Sequence, residues 1–393
     1  MLHARSVALS RRHNLVREAA ARHSVDALVV TSRSNIFYLT NFTGSSAIAV
    51  LTPDRLHFVT DFRYVTAVES LQQSEDACPS LELTVVDGSY DATLCKLLVS
   101  LNVQRVGFEA AHVVVSRYNW LVNQLGSGPA APALVPTEHI VERLRVRKDE
   151  YEIETFREAA RRLSAVARGV FEEVRAGRTE RDIARAIDAR ILDGGFERTA
   201  FETIVASGPQ AALPHAHPSE RTLGENDLVV LDFGGVYRSY CVDLTRTVSV
   251  GRASGRAREV HAAVLEAHDR AIQAVAPGRS RFAIDAAARD SLAARGLGEA
   301  FGHGTGHGLG IEIHEDPRIT RRTGDAAAAP GKEVKEVKEV NEVDEAVAAG
   351  MVFTIEPGAY LPGWGGVRIE DDVLVTEHGV ELLTNVTTDL LEL

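Results

Sequence analysis

LVVLDFGGVYRSYCVDLTRTV, Leu228 to Val248, is the stretch whose reading decides the fold. An apolar run ends in Asp232, the pair Gly234-Gly235 reads as a turn, and a second run carries Asp243. Val, Leu, Phe and Tyr around a glycine pair predict a β-hairpin. Both acids sit in otherwise apolar strands, where a bare carboxylate is costly to bury. A bound cation or a basic partner must compensate them. A second stretch, MVFTIEPGAYLPGWGGVRIEDDVLV from Met351 to Val375, repeats the arrangement with Glu356 and Glu370. Two acid pairs on two similar hairpins predict an oxygen-rich cage for two divalent metals.

The segments leading to the hairpins also repeat. GRTERDIARAIDARILDGG at 177–195 resembles GRSRFAIDAAARDSLAARG at 278–296, and each follows a long Ala-rich helical pattern. The first copy is preceded by helical patterns near 149–174 and includes one near 179–193. A duplicated unit of helices and acid-bearing strands predicts two similar sheets related by a pseudo-two-fold, with the acid pairs meeting at the centre. Between the copies and the last hairpin lies DAAAAPGKEVKEVKEVNEVDEAV, Asp325 to Val347, a low-complexity insert with a period of three. Its valines drift around a helix instead of forming a steady stripe, which reads as a solvated loop or short exposed helix, with a lid as the sharper alternative.

The first third has a different rhythm. A helix is expected over 6–23, a strand at DALVV (26–30), and β-rich runs through SRSNIFYLTNFTGSSAIAVLTPDRLHFVTDFRY (32–64). Strand and helix patterns then alternate through LELTVV, a helix at 91–101 and RVGFE, the mark of an α/β domain. GSGPAAPALVPT (126–137) is rich in Pro, Gly and Ala and is the linker candidate. The expected domains are 1–136 and 149–393, joined by a linker at 137–148. A chain of 393 residues is too long for one ordinary core. The net charge of −12 argues against a nucleic-acid binder. Cys78, Cys95 and Cys241 are scattered and odd in number, which reads as reduced, buried thiols. Cys241 shares a strand face with Asp243, where packing is the simpler role. The N-terminus lacks the apolar core of a signal peptide, and no run is long enough for a membrane span. A cytoplasmic protein is expected.

Between the hairpins, FGHGTGHGLGIEIHEDP (301–317) carries His303, His307 and His314 among glycines that let backbone approach a ligand. His307 is the metal-ligand candidate, flanked by His303 and His314. LPHAHPS adds His215 and His217, of which His215 is favoured as facing the site and His217 is left open. Arg368 lies two residues before Glu370 and has an ordinary surface arginine as its alternative. Trp364 either walls the metals or packs its hairpin. Tyr38, Phe42 and Arg63 either reach the site or serve the N-terminal core and a salt bridge.

In this order, LDFG…VDLTRT, HGTGHGLGIEIHE, TIEPG and GVRIEDD resemble the proline-specific members of the "pita-bread" metallopeptidases, the Xaa-Pro aminopeptidases with the prolidases beside them. SNIFYLTNFTGSS and FVTDFRY resemble the N-terminal domain these enzymes share with creatinase. The resemblance spans the whole chain. It implies an α/β fold of α+β character: an N-terminal creatinase/prolidase-type domain and a C-terminal pita-bread domain with a duplicated half. It implies five metal ligands, Asp232, Asp243, His307, Glu356 and Glu370, of which Asp243 and Glu370 bridge two ions. Mn²⁺ suits such a set, and Co²⁺ or Zn²⁺ also fit. It further implies a bridging hydroxide that attacks the scissile carbonyl, with Glu356 hydrogen-bonding the water or accepting its proton. His215 and His314 would steady the carbonyl oxygen, His303 the proline-side residue, and Arg368 a ligand or the substrate. The implied activity is removal of the N-terminal residue from peptides with proline second, by a homodimer or larger homo-oligomer. Prolidase is the near alternative, and a non-catalytic peptide- or protein-binding member of the fold is the alternative from another class.

Overall fold

Short, unbroken apolar runs build the sheet in the first third of the chain. The computed structural model describes residues 3–126, 131–322 and 346–393, and the chain divides into two units, Met1–Arg145 and Val146–Leu393. The first unit runs α1 (Ser6–Arg22), β1 (Ala27–Val30), α2 (Arg33–Thr40), β2 (Ile48–Leu51), β3 (Leu56–Thr60), α3 (Val65–Gln72), β4 (Leu81–Val85), α4 (Tyr90–Ser100), β5 (Arg105–Glu109), α5 (Val115–Leu125), β6 (Ala133–Thr137) and α6 (Glu142–Arg145). Its sheet has the order β4-β3-β2-β1-β5-β6 among the described residues. β1 lies parallel to β5 and antiparallel to β2. ALVV and IAVL are buried along their whole length, as central strands covered on both faces must be.

Two expectations for this unit are corrected. The stretch 32–64 is expected to hold β-rich runs, but its first part, Arg33–Thr40, forms the helix α2. The Ser32 side chain caps its first turn by accepting from Asn35 N, and Asn41 ends it in the left-handed conformation at φ 61°. Contacts from α1 then override strand propensity: Arg12 Nη1 donates to Tyr38 O at 2.8 Å, and His13 Nε2 lies 2.7 Å from Leu39 O. Tyr38 and Phe42 are accordingly buried, whereas Arg63 is exposed and pairs with Asp61. The linker candidate 126–137 ends in β6, which pairs parallel to β5. Pro136 is tolerated because β6 is the edge strand. Residues 127–130 of that candidate lie outside the described residues. Within the expected linker 137–148, α6 belongs to the first unit: buried Arg145 donates to Asn35 Oδ1 at 2.7 Å.

The second unit begins with two helices, α7 (Glu150–Val170) and α8 (Glu180–Asp193), followed by β7 (Arg198–Thr199), β8 (Ile204–Ser207), β9 (Leu228–Tyr237) and β10 (Tyr240–Ser249). A second helix pair follows, α9 (Gly255–Ala274) and α10 (Arg281–Ala294). Then come β11 (Gly306–Gly308), β12 (Glu315–Ile319), β13 (Val352–Ile355), β14 (Gly358–Leu361), β15 (Gly365–Arg368), β16 (Asp371–Thr376) and β17 (Gly379–Leu382). Among the described residues, each helix pair is therefore followed by acid-bearing strands. One sheet pairs β10, β9 and β7, with β8 also on β9, and the other has the order β12-β11-β13-β16-β17.

The hairpin of β9 and β10 exists, but its turn is not the glycine pair. β9 runs straight through Gly234 and Gly235, and the reversal falls at Arg238 and Ser239, both at positive φ (50° and 67°). The glycines are needed for close packing instead. A Cβ on Gly234 would lie 2.4 Å from Val242 O, and one on Gly235 would lie 2.4 Å from the Phe196 ring. The second acid stretch is also more elaborate than a single hairpin. β13 and β16 pair antiparallel, but the small hairpin β14–β15 is nested between them. Glu356 thus leaves β13 and Glu370 enters β16. The two sheets meet where Thr245 bridges Glu370, with Glu370 N donating to Thr245 O at 3.1 Å.

Of the low-complexity insert 325–347, residues up to 345 lie outside the described residues, and Val347 is buried against the α9–α10 core. The described helices include none long and apolar enough to cross a membrane. Cys78 and Cys241 are buried and Cys95 is half-buried, and all three are free thiols. Burial pushes the Cys78 and Cys241 thiols up to about 12, which makes them inert packing groups.

Gly234→Ala forces its methyl against a main-chain oxygen that cannot swing away. It is expected to lower stability by about 1–3 kcal/mol in urea unfolding, whereas Gly363→Ala, which meets nothing within 4 Å although its φ is 76°, should cost less.

Candidate metal centre

Strand register brings the first two acids together. On the β9–β10 ladder Asp232 faces Thr245 and Asp243 faces Gly234. Asp232 and Asp243 are therefore diagonal neighbours on one face. Glu370 arrives from the other sheet through the Thr245 bridge, and Thr245 Oγ1 donates to its Oε2 at 2.6 Å. His307 sits in β11, one strand from β13 and Glu356. Ligand atoms of Asp243, His307 and Glu370 all lie within 4.8 Å of one another. His307 Nε2 is 3.7 Å from Glu356 Oε1. All five residues of the implied ligand set, four acids and His307, line one cavity of about 530 Å³ in the second unit.

The cavity is crowded with negative charge. Burial, then neighbouring Glu370 and Asp232, raise the Asp243 carboxyl well above its ordinary value. Burial, then Glu356 and Asp232, do the same to Glu370. Glu356 is also raised, first by burial and then by Asp232, against the opposing pull of Arg368. Two arginines line the cavity among the described residues: Arg318, and Arg368, which is buried and ion-pairs with Asp232 Oδ2. Asp232 Oδ1 is buried with no hydrogen-bond partner. Two guanidinium groups against four carboxylates leave net negative charge for something else to compensate.

A divalent-metal pair fits these residues. The oxygen-rich set with one imidazole suits hard or borderline dications. His307 is prepared for the role. Its Nδ1 lies 3.2 Å from Gly308 O, to which it donates, which leaves Nε2 bare toward the carboxylates. Burial, followed by His314, lowers the His307 pKa to about 3, so the ring is neutral and able to ligate.

Around the acids stands a wall of hydrogen-bonding groups. His303 Nδ1 lies 2.8 Å from Gly304 O and Nε2 lies 2.9 Å from Tyr360 Oη. The carbonyl requires Nδ1–H, so Nε2 accepts from the Tyr360 hydroxyl. That hydroxyl in turn accepts from Arg368 Nη1 at 2.9 Å. A directed chain thus runs Arg368→Tyr360→His303. Burial lowers His303 to about 4 and raises Tyr360 to about 12, so both stay neutral near pH 7. His314 stacks edge-on to His307 with ring centroids 4.4 Å apart, and its pKa is lowered, first by burial. His215 lines the cavity with Pro214 and Ala216, while His217 is at the exposed rim, 3.1 Å from Glu202 Oε2. Arg368 is no surface arginine, and Trp364 packs under the Arg256 guanidinium at 4.6 Å instead of lining the cavity.

Tyr360 and Thr245 were not singled out from sequence. Tyr360 lies on β14, two residues before Pro362, and only the nested hairpin turns its hydroxyl toward Arg368. Phe201, Ile204 and Ile313 add apolar walls, and no motif marks them.

Residues 154–377 match the model of metallopeptidase family M24, and residues 12–147 match the creatinase/prolidase N-terminal domain. The chain is 35% identical over 367 residues to the uncharacterized peptidase YqhT of Bacillus subtilis (strain 168), covering 93% of this chain and 96% of the relative. Among solved structures it is similar to the Xaa-Pro dipeptidase from Bacillus anthracis, with a TM-score of 0.87, 33% identity, and coverage of 98% and 100% of the two chains. It is also similar to the X-Pro aminopeptidase from Thermotoga maritima MSB8, with a TM-score of 0.82, 32% identity, and coverage of 96% and 100%. With more than half its length in the catalytic-domain model, this chain belongs to metallopeptidase family M24. It carries the pita-bread fold behind a creatinase-type N-terminal domain.

If the cage exists to hold dications, Mn²⁺ at about 100 times its Kd should stabilise the protein by roughly 2.7 kcal/mol. Differential scanning calorimetry should show that gain in the wild type and lose it in Asp243→Asn and Glu370→Gln.

Proposed function

We propose that this M24 metallopeptidase hydrolyses the bond between an N-terminal residue and a following proline, using a pair of divalent ions held by Asp232, Asp243, His307, Glu356 and Glu370. The observation that carries the reading is the meeting of the five side chains at one buried cavity. When bound, the ions would polarise the carbonyl and activate a water molecule for attack. Mn²⁺ is the first choice among them, with Co²⁺ or Zn²⁺ as substitutes.

The protein groups divide the remaining work. Glu356, at the cavity surface beside His307, accepts the proton of the attacking water on a carboxylate oxygen and returns it to the departing proline nitrogen. His215 and His314 present N–H groups to the carbonyl oxygen as charge builds on it. His303 is neutral and held by Tyr360, and it borders the space for the proline-side residue. Arg368 fixes Asp232 and Tyr360 at once and so sets the orientation of one ligand and of the His303 wall. An X–Pro bond is a tertiary amide with no N–H. Selection for it needs a site that asks for no such donor and supplies apolar walls, as Phe201, Ile204 and Ile313 do.

The length of the substrate follows one of two readings. The likeness to the Bacillus anthracis protein, whose name is Xaa-Pro dipeptidase, favours dipeptides and thus a prolidase. The likeness to the Thermotoga maritima protein, whose name is X-Pro aminopeptidase, favours longer peptides and agrees with the motif-based expectation. Purified protein with Mn²⁺ is to be assayed on Ala-Pro and on Ala-Pro-Ala. Cleavage of both supports the aminopeptidase, cleavage of Ala-Pro alone supports the prolidase, and cleavage of Ala-Ala as readily as Ala-Pro contradicts the proline requirement. Glu356→Gln should lower kcat by about 10²–10⁴-fold, the range for loss of a general base, and a smaller effect would remove Glu356 from that role.

A further inference from the structure

The cavity walls that carry His215 and His303 are loops, and loops do not hold a side chain in place unless something pins them. The loop before His215 leaves β8 at Ser207 and returns at Ser219. Both ends close on one carboxylate. Glu180, the first residue of α8, is fully buried and accepts from Ser207 N at 2.8 Å and Ser207 Oγ at 2.7 Å. Its other oxygen accepts from Ser219 N at 3.1 Å and Ser219 Oγ at 2.6 Å. Glu180 N also donates to Arg221 O at 3.0 Å, so the helix start is zipped to the returning chain. The loop base is further tied by Arg221, which donates to Ser207 Oγ at 2.5 Å and to Asp227 Oδ2 at 2.6 Å. Gly208 turns there at φ +52°, where an ideal Cβ would lie 2.6 Å from Arg221 Nη2. The far side of the loop meets the active wall directly: Arg368 Nη1 donates to Pro214 O at 3.3 Å, and a Cβ on Gly366 would lie 2.1 Å from Ala211 O.

The second half solves the same problem by a different residue. Asp285 in α10 is buried, and its Oδ1 accepts from Thr305 N at 3.1 Å and Thr305 Oγ1 at 2.9 Å. Arg289 pairs with both Asp285 oxygens at 2.9 Å and donates to His303 O at 2.8 Å. The repeat offset places Arg281, not Asp285, against Glu180, so the two carboxylates are separate solutions and not inherited copies.

We propose that Glu180 is a positioning residue for catalysis: it clamps both ends of the 207–219 loop and thereby fixes His215 at the cavity. Asp285 does the same for His303. This rests on the role assigned to His215 in Xaa-Pro hydrolysis. Glu180 touches no reacting atom. A glutamine in its place would turn an NH₂ toward hydroxyl or amide donors, because all four groups around the carboxylate donate to it.

Two measurements test the assignment on the full-length, Mn²⁺-loaded protein. The first is amide hydrogen exchange of residues 208–217, read by mass spectrometry without any substrate. In Glu180→Gln, and in the milder Ser219→Ala, this segment should exchange about tenfold faster, while Asp285→Asn leaves it unchanged. Unchanged exchange in both Glu180→Gln and Ser219→Ala overturns the proposal. The second is a double-mutant cycle on Ala-Pro hydrolysis. Glu180→Gln should lower kcat/KM by about tenfold or more in the wild-type and His303→Ala backgrounds, but by less than about twofold once His215 is alanine. The same factor in all three backgrounds would mean a general structural loss and would overturn it. If the wild type does not cleave Xaa-Pro bonds, the functional reading fails, and the exchange result alone decides the clamp.

Discussion

Mutual repulsion among buried carboxylates is the constraint on which the second unit depends. Asp232, Asp243, Glu356 and Glu370 converge on a cavity where Arg368 and Arg318 supply fixed positive charge, two against four. In a low-dielectric interior, like charges at these separations cost several kcal/mol unless they are neutralised or paired. The raised carboxyl pKa values of Asp243 and Glu370 express that cost directly. Such a concentration of buried like charge marks a functional site, and the dication pair proposed for it would relieve the repulsion.

The scaffold behind the cage is itself polar and densely hydrogen-bonded. Arg246 uses its guanidinium to seam the two sheets: it donates to Glu370 O at 2.6 Å, to Thr245 O at 2.9 Å, to Val386 O and Asp371 Oδ1 at 2.8 Å, and to Thr387 O at 2.8 Å. Burial alone would raise the Asp371 carboxyl, but Arg246, then His268 and Thr384, hold it below its ordinary value. Next to it, Asp372 Oδ2 accepts from Asp243 N at 3.0 Å and so holds the backbone of a ligand. The two consecutive aspartates after Glu370 therefore support the cage from behind. Asp371 and Asp372 stand behind the strands of the cage as Glu180 and Asp285, in our proposal, stand behind its loops.

Much of the site was legible in the sequence because burial of charge is a local contradiction. An acid inside an apolar strand stands out in a one-dimensional reading, and four such acids plus a glycine-flanked histidine mark a site before any geometry is known. The motifs around Asp232, His307 and Glu370 also carried the family. What escaped was non-local. Gly234 and Gly235 look like a turn in sequence, and only Val242 O and the Phe196 ring across the sheet explain why they stay in a strand. Asn35–Thr40 has strand-forming residues, yet α1 and the Ser32 cap settle it as a helix. Ala133–Thr137 lies in a stretch with linker composition, and pairing with β5 makes it a strand. Tyr360 and Glu180 are ordinary residues in one dimension, and their roles come from partners 57 and 39 positions away.

Metal content tests the central claim most directly. Protein stripped with chelator, reloaded with Mn²⁺ and freed of excess should hold two ions per chain by elemental analysis, and Asp243→Ala should not retain the pair. Wild-type protein that takes up none, or that holds its full complement after Asp243→Ala, would contradict the account of a carboxylate cage built for two cations.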